Sequence, residues 1–250
     1  MPYDRIIVIP DIHGLVFWKS AVSALPNALL IFLGDYLDPY DDEDITPDKA
    51  YYNLIEIVDL KKQFPDNVIL LWGNHDLHYM YRNLMGSRYD HDNSERFFQF
   101  FWQNQDLFQI AYDTVIGNTT YLFSHAGVGR KWAEHLNPKF STTPPTAAAL
   151  NELFHTRSFI EALNARSGAR GGWSDYGSMI WADYSEQTKE ENQYKDIVQI
   201  FGHTHQQQPL IIDNRIYCLD CGRSFSINVK NSMVGGVDKE LNKFINMLSS

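Results

Sequence analysis

Val68-Ile69-Leu70-Leu71-Trp72-Gly73-Asn74-His75-Asp76 is an apolar run that ends in a glycine and three polar side chains with no packing reason to sit there. The run reads as a buried strand. Asn74, His75 and Asp76 then fall where the strand gives way to a loop, which is where open α/β sheets place their sites. The pattern recurs on either side. Ile6-Ile7-Val8-Ile9 precedes Asp11-Ile12-His13-Gly14, and Leu29-Leu30-Ile31-Phe32-Leu33 precedes Gly34-Asp35-Tyr36-Leu37-Asp38. Further on, Tyr121-Leu122-Phe123 leads into Ser124-His125-Ala126-Gly127, and Ile197-Val198-Gln199-Ile200-Phe201 into Gly202-His203-Thr204-His205.

The polar residues at these strand ends are of one chemical kind. A hard or borderline divalent ion takes carboxylate, imidazole and amide oxygen ligands, and a shared carboxylate brings two ions within ~4 Å of each other. Asp11, His13, Asp35, Asn74, His125, His203 and His205 form such a set. In Asp11-x-His13 and His203-x-His205 the two side chains of an extended segment project to the same side. A bend in the loop then lets His203 serve one ion and His205 the other. An isolated Asp-x-His is a weak signal, but five motifs in order on strand ends are a strong one.

Between the motifs the pattern predicts one α/β domain over residues 1–250: two facing mixed β-sheets with helices outside, and a dinuclear metal site at the C-terminal ends of the strands. A helix from Pro47 to Phe64, capped by Thr46, carries Tyr51, Leu54, Ile55 and Val58 at helical spacing. A second, rich in Phe, spans Ser94 to Trp102, and Ile110 to Ile116 with Thr119 to Phe123 reads as a hairpin turning at Gly117-Asn118. Residues 130–180 carry helical patterns and a Gly-rich stretch without a metal motif, and are expected to form a substrate-specificity cap. Beyond Gly236, the residues Val237, Leu241, Phe244, Ile245 and Leu248 predict an amphipathic helix used for core packing or a dimer contact.

Net charge is −10 and the run Asp41-Asp42-Glu43-Asp44 is a solvated acidic loop, which argues against a broad nucleic-acid surface. Neither a signal peptide nor a membrane span is legible, so the cytoplasm is the expected compartment. Cys218 and Cys221 supply only half of a structural zinc site and are read as two buried thiols. His78, His91, His135 and His155 lack ligand spacing, although His78, one turn past His75, is placed to line the pocket.

The order of the motifs from Asp11 to Gly222 resembles the calcineurin-like metallophosphoesterases. Asp-Ile-His-Gly, Gly-Asp-Tyr-Leu-Asp and His-Ala-Gly are most similar to the phosphoprotein phosphatases and the symmetrical diadenosine tetraphosphatases. Ser178-Met179-Ile180-Trp181-Ala182-Asp183 and Cys218-Leu219-Asp220-Cys221-Gly222 are weaker echoes of the same branch. The resemblance implies that Asp11, His13, Asp35 and His205 hold one ion and Asp35, Asn74, His125 and His203 the other. It implies that His75 protonates the leaving oxygen and that Asp38 orients His75. One departure stands out: the branch has Arg-Gly after the second Asp, the Arg gripping the phosphate, and this chain has Pro39-Tyr40. Arg170, in Ala169-Arg170-Gly171-Gly172-Trp173, is the first candidate to replace it, followed by Arg157, Arg166 and Arg130.

The expected activity is therefore metal-dependent phosphoester hydrolysis. A hydroxide bridging the two ions, with its pKa lowered toward roughly 7, is the nucleophile, and His75 is the right type of group for the leaving-group proton. Manganese is the first choice of metal, with Fe, Zn, Mg or Ni as substitutes. A phosphorylated protein, nucleotide or small molecule is the expected partner, and oligomeric state is left open. A phosphatase, serine/threonine phosphoprotein phosphatase-like, is the leading reading; a dinucleoside polyphosphate hydrolase or a phosphodiesterase is the alternative. A non-enzymatic scaffold would be expected to lose ligands, and here the whole set is present.

Overall fold

The apolar runs become the inner strands of two sheets. The computed structural model describes residues 3–229. Its strands are β1 (Arg5–Ile9), β2 (Ala28–Phe32), β3 (Val68–Leu71), β4 (Phe108–Gln109), β5 (Ala111–Ile116), β6 (Thr119–Ser124), β7 (Ile197–Phe201), β8 (Leu210–Ile212), β9 (Ile216–Cys218) and β10 (Phe225–Asn228). The first sheet has the order β10-β1-β2-β3-β4 and the second β5-β6-β7-β9-β8, each with five strands. Strands β1 to β4 run parallel, with Ile7 opposite Leu30 and Ile31 opposite Ile69, while β10 returns antiparallel along β1. In the second sheet β6, β7 and β9 run parallel, and β5 and β8 close the edges antiparallel.

Alternation of side chains across each strand sorts them into layers. Ile6, Val8, Leu29 and Ile31 meet Phe123, Val198, Ile200 and Tyr217 of the other sheet, so the two sheets face each other across one apolar layer. Ile7, Ile9, Leu30 and Phe32 point the other way, toward Leu54, Ile57 and Val58 of α1 (Pro47–Gln63). That helix starts where expected: the Thr46 hydroxyl accepts from Lys49 N at 3.2 Å, and Pro47 takes the first position. The hairpin of β5 and β6 and the Phe-rich helix also lie where the pattern puts them, the helix running from Ser94 to Asn104.

One element departs from the loop that the sequence predicts. Asn74, His75 and Asp76 open α2 (Asn74–Met80), with Gly73 as its N-cap, and α3 (Ser94–Asn104) follows after an irregular stretch. Residues 130–180 hold α4 (Arg130–Leu136), α5 (Ala147–Phe154) and α6 (Arg157–Ala162). These pack Trp132, Leu150 and Phe159 into the same core as the first sheet's outer layer. Arg166 links this segment to the stretch after α2: its guanidinium lies 3.8 Å from the Trp181 ring and donates to Leu84 O and Met85 O at 2.9 and 2.8 Å. The terminal helix expected beyond Gly236 lies outside the described residues. Among the described residues no helix is long and apolar enough to cross a membrane.

Candidate metal centre and active site

The parallel strands of both sheets deliver their polar followers to one place. Asp11 follows β1, Asp35 follows β2, Asn74 follows β3, His125 follows β6 directly, and His203 follows β7. All five side chains are buried, as is that of His13. The backbone bends sharply at several of these points: φ is +42° at His13, +53° at Asp35, +58° at Asp38 and +66° at His203. Left-handed backbone is costly for residues other than glycine and persists where the surroundings impose it. Glycines allow the closest approaches. A Cβ on Gly202 would lie 2.0 Å from Asp11 Oδ1, and one on Gly73 would lie 2.1 Å from Asp35 Oδ1.

Around His125 Nε2 three ligand-type atoms converge. Asn74 Oδ1 is 2.8 Å away, His203 Nδ1 3.1 Å and Asp35 Oδ2 3.4 Å. The other ring nitrogen, His125 Nδ1, donates to Leu33 O at 2.9 Å, which leaves the Nε2 lone pair aimed into the cluster. On the other side of Asp35, His13 Nδ1 donates to Leu37 O at 2.7 Å, and its Nε2 lies 3.6 Å from Asp35 Oδ2. Asp11, His13 and Asp35 form one group of potential ligands and Asp35, His125 and His203 another, so Asp35 is common to both.

This donor set fits divalent cations. Burial holds His13 down to about 3 and His203 well below the usual imidazole range, so both are neutral rings with lone pairs to give. Burial also works against charge on His125, yet Asp35 and Asp11 outweigh it and carry the ring up to about 10. The same two carboxylates would favour a cation in that place. His203 Nε2 and Asn74 Nδ2 are buried without a hydrogen-bond partner among the described residues.

His205 is not brought into the cluster. The left-handed bend at His203 breaks the extended geometry that would have put both rings on one side, and the His205 side chain is 64% exposed. It stays at the rim, 6.1 Å from the Tyr40 ring, with Nδ1 3.7 Å from Asp220 Oδ2. Asp220 follows β9 just as the other donors follow their strands, and its buried Oδ2 has no hydrogen-bond partner among the described residues. Burial and the charges of Asp11 and Asp35 push it up to about 9. Nothing beyond the Cys-Leu-Asp-Cys echo marked it in the sequence. Cys218 supports the same corner from below, buried with Sγ 3.5 Å from both Gly202 O and Thr204 O, whereas Cys221 is half-buried and both thiols are free.

Beside the cluster, His75 Nδ1 lies 2.7 Å from Asp38 Oδ2, and the rings of His75 and His13 are 5.2 Å apart. Asp38 is held on all sides. Tyr79 donates its hydroxyl to Oδ1, and His78 Nε2 lies 2.9 Å from Oδ2. Burial alone would raise the Asp38 carboxyl, but the contacts with His75 and His78 keep it below its ordinary value. His78 therefore does not line a pocket: α2 turns it inward, fully buried behind Asp38.

Asp76 closes the frame. Its Oδ2 accepts from Asp35 N and Gly73 N at 2.8 Å each, and its Oδ1 from Tyr36 N at 3.0 Å, tying the bend after β2 to the start of α2. Asp76→Ala would orphan these three buried N–H groups, at a cost of about 3 kcal/mol or more. For a chain of 250 residues that amounts to a loss of about 10 °C in melting temperature. Calorimetry of the metal-free protein checks this, and an unshifted transition would show that the carboxylate does not hold the frame.

The arginines distribute unevenly. Arg170 donates to the Thr204 hydroxyl and lies 3.1 Å from Asp183 Oδ2, at the edge of the cluster where its charge reaches His203. Arg157 is 93% exposed and pairs with Glu161, and Arg130 binds Glu191 O and Ser141 O. The arginine that enters the site is one the motifs did not indicate. Arg88 donates through Nη1 to Asp38 O, and its Nη2 lies 3.2 Å from His75 Nε2 and 3.5 Å from His13 Nε2.

Comparison with known proteins bears on this geometry. The calcineurin-like phosphoesterase family model matches residues 4–207. No curated protein matches the chain. Among solved structures, a cold-active protein-tyrosine phosphatase of a psychrophilic Shewanella species superposes with a TM-score of 0.60 at 16% identity, covering 90% of this chain and 76% of that one. A protein serine/threonine phosphatase from Saccharomyces cerevisiae superposes with a TM-score of 0.51 at 18% identity, covering 97% and 78%. At such identities the likeness is one of fold. With the family model spanning most of the chain and two acid-and-histidine clusters sharing Asp35 at the strand ends, the chain belongs to the calcineurin-like phosphoesterase family, metal-dependent hydrolases of phosphate esters.

Proposed function

We propose that this protein is a phosphatase that releases phosphate from a phosphomonoester, a phosphoprotein included, with two divalent cations of which manganese is the first choice. The observation that carries the reading is the convergence of Asn74, His203 and Asp35 on His125 Nε2, with a histidine–aspartate pair, His75 and Asp38, at its side. Asp11, His13 and Asp35 would hold one cation, with His205 joining from the rim, where its Nδ1 lies 3.7 Å from Asp220 Oδ2. Asp35, Asn74, His125 and His203 would hold the other. When bound, the cations polarise the phosphoryl oxygens and lower the pKa of the attacking water.

The chain's own residues do the rest. Asp38 accepts from His75 Nδ1, which orients the ring and supports its protonated form, whose Nε2–H would pass to the leaving oxygen and leave the neutral Nδ1–H ring behind. Asp35, Leu33 O and Leu37 O fix the positions and tautomers of the flanking imidazoles before substrate arrives. Residues 130–180, joined through Arg166 to the loop that bears Arg88, would shape the specificity side of the site.

A monoester is favoured over a dinucleoside polyphosphate by charge. The cleft of 430 Å³ next to the site is lined by Asp41, Asp44 and Asp90 as well as Tyr40, Arg88 and Tyr89. Carboxylates there repel the further phosphates of a polyphosphate chain.

The test is hydrolysis of p-nitrophenyl phosphate, its bis-ester, a phosphopeptide and diadenosine tetraphosphate, with Mn²⁺ supplied or removed by chelation. Chelation is expected to abolish turnover and Mn²⁺ to restore it, with the monoesters preferred. Preference for the bis-ester would move the reading to a phosphodiesterase, and preference for the tetraphosphate to a polyphosphate hydrolase.

A further inference from the structure

Pro39-Tyr40 occupies the place where the family resemblance implies a phosphate-gripping arginine, and the structure brings an arginine in from a different loop. We propose that Arg88, laid flat on Tyr40, is the residue that binds the substrate phosphoryl group. This rests on the phosphoesterase reading above.

The geometry is specific. The Arg88 guanidinium carbon is 3.8 Å from the centre of the Tyr40 ring, and that ring in turn meets the His13 ring edge-on at 5.0 Å. Tyr40 is thus the platform on which the arginine rests, and the dipeptide that removes one arginine supplies the seat for another. Nη1 is fixed by Asp38 O. Nη2 is left facing two nitrogens, His13 Nε2 and His75 Nε2. The first belongs to a ring whose Nδ1 donates to a carbonyl, so its lone pair is directed at the cation site. The second is the nitrogen that would face the leaving oxygen, since Nδ1 is taken by Asp38. A group lying between a cation ligand and the proton donor stands where phosphoryl oxygens must pass.

Arg88, although its Nη1 is taken by Asp38 O, also lacks a competing anion among the described residues. Among the described residues no carboxylate pairs with it, whereas Arg170 is engaged by Asp183 and Arg157 by Glu161. Its position is built rather than incidental. The backbone at Arg88 is left-handed, with φ +58°, and the loop around it is pinned on both flanks. On one flank Arg166 holds Leu84 O and Met85 O, and Gly86 packs so closely on Trp181 that a Cβ would come within 2.7 Å of the ring. On the other, the Asp90 carboxylate accepts from Asp92 N and Asn93 N at 3.0 Å each. A planar guanidinium held in this way offers its N–H groups to an anion without further ordering.

Inorganic phosphate is the probe, titrated calorimetrically into the manganese-loaded protein and assayed as a competitive inhibitor. Arg88→Ala is expected to weaken phosphate binding by about tenfold to a hundredfold and to raise KM for p-nitrophenyl phosphate in step, with manganese content unchanged. Arg88→Met keeps a stem to lie on Tyr40 and should show the same loss, which guards against a folding defect in the alanine variant. Tyr40→Ala should lose several-fold in phosphate affinity, while Arg157→Ala, on an exposed helix face, should behave as wild type. Phosphate affinity unchanged in Arg88→Met with both cations bound would overturn the assignment. Should the wild type bind phosphate through Arg88 yet hydrolyse no monoester, the assignment stands and the phosphomonoester reading falls.

Discussion

Replacing Asp35 by Asn is expected to empty both cation positions and bring turnover to background. The carboxylate sits between the two ligand groups, with Oδ2 3.6 Å from His13 Nε2 and 3.4 Å from His125 Nε2. It is the one side chain common to both groups. Asn keeps the shape but removes the charge and turns one oxygen into an N–H₂ donor, which cannot ligate a cation. The fold should survive, because Asp35 is anchored through its backbone: its N donates to Asp76, and its O accepts from Ile12 N and His13 N. Elemental analysis of the variant after loading with manganese, beside a melting curve of the metal-free protein, separates loss of metal from loss of fold. Two ions per chain in Asp35→Asn would mean that the carboxylate does not bridge.

His75→Asn is expected to leave the metal content intact and to lower kcat by about 10²- to 10⁴-fold, the range a positioned general acid contributes. Metal content should hold because His75 is tied to Asp35 by its backbone N–H, at 2.8 Å from Oδ1, and that bond does not depend on the ring. The loss should vary with the leaving group. A nitrophenolate leaves without much help from a proton, whereas the alkoxide of a phosphoserine needs one, so the variant should suffer least on p-nitrophenyl phosphate and most on a phosphopeptide. An equal and small loss on both would remove His75 from proton transfer. Asp38→Asn should reproduce part of the same pattern, since its carboxylate meets the His75 ring at Nδ1.

The strands and the cluster of acids and histidines at their ends were legible because one physical requirement wrote both. A strand buried on both faces must be apolar throughout, so the polar residues that follow β1, β2, β3, β6 and β7 stand out against their background. Residues whose roles arise from distant contacts left no such contrast. Arg88 has no motif of its own, and its place depends on Tyr40, on Trp181 and on a left-handed bend that no local pattern announces. The outward turn of His205 has the same origin, since a two-residue spacing predicts a common face only while the chain stays extended, and His203 does not. Asn74 to Asp76 read as a loop because a helix of seven residues is too short to show a period. Asp220 was visible only as an echo because its significance comes from β9 lying beside β7.

The bond from His203 N to Asp11 Oδ1, at 2.9 Å, joins residues 192 positions apart, and β10 then lies against β1. Its consequence falls on the making of the protein. During synthesis Asp11, His13 and Asp35 emerge long before His125 and longer still before His203, so the earliest ligands spend most of translation without their partners. Contacts of such separation pay their closure entropy late, which slows folding relative to a chain of local contacts. The cluster of acids and histidines is therefore expected among the last features to form, and a nascent chain that stops short of β7 is expected to be inert toward phosphate esters, however much of the first sheet it has built.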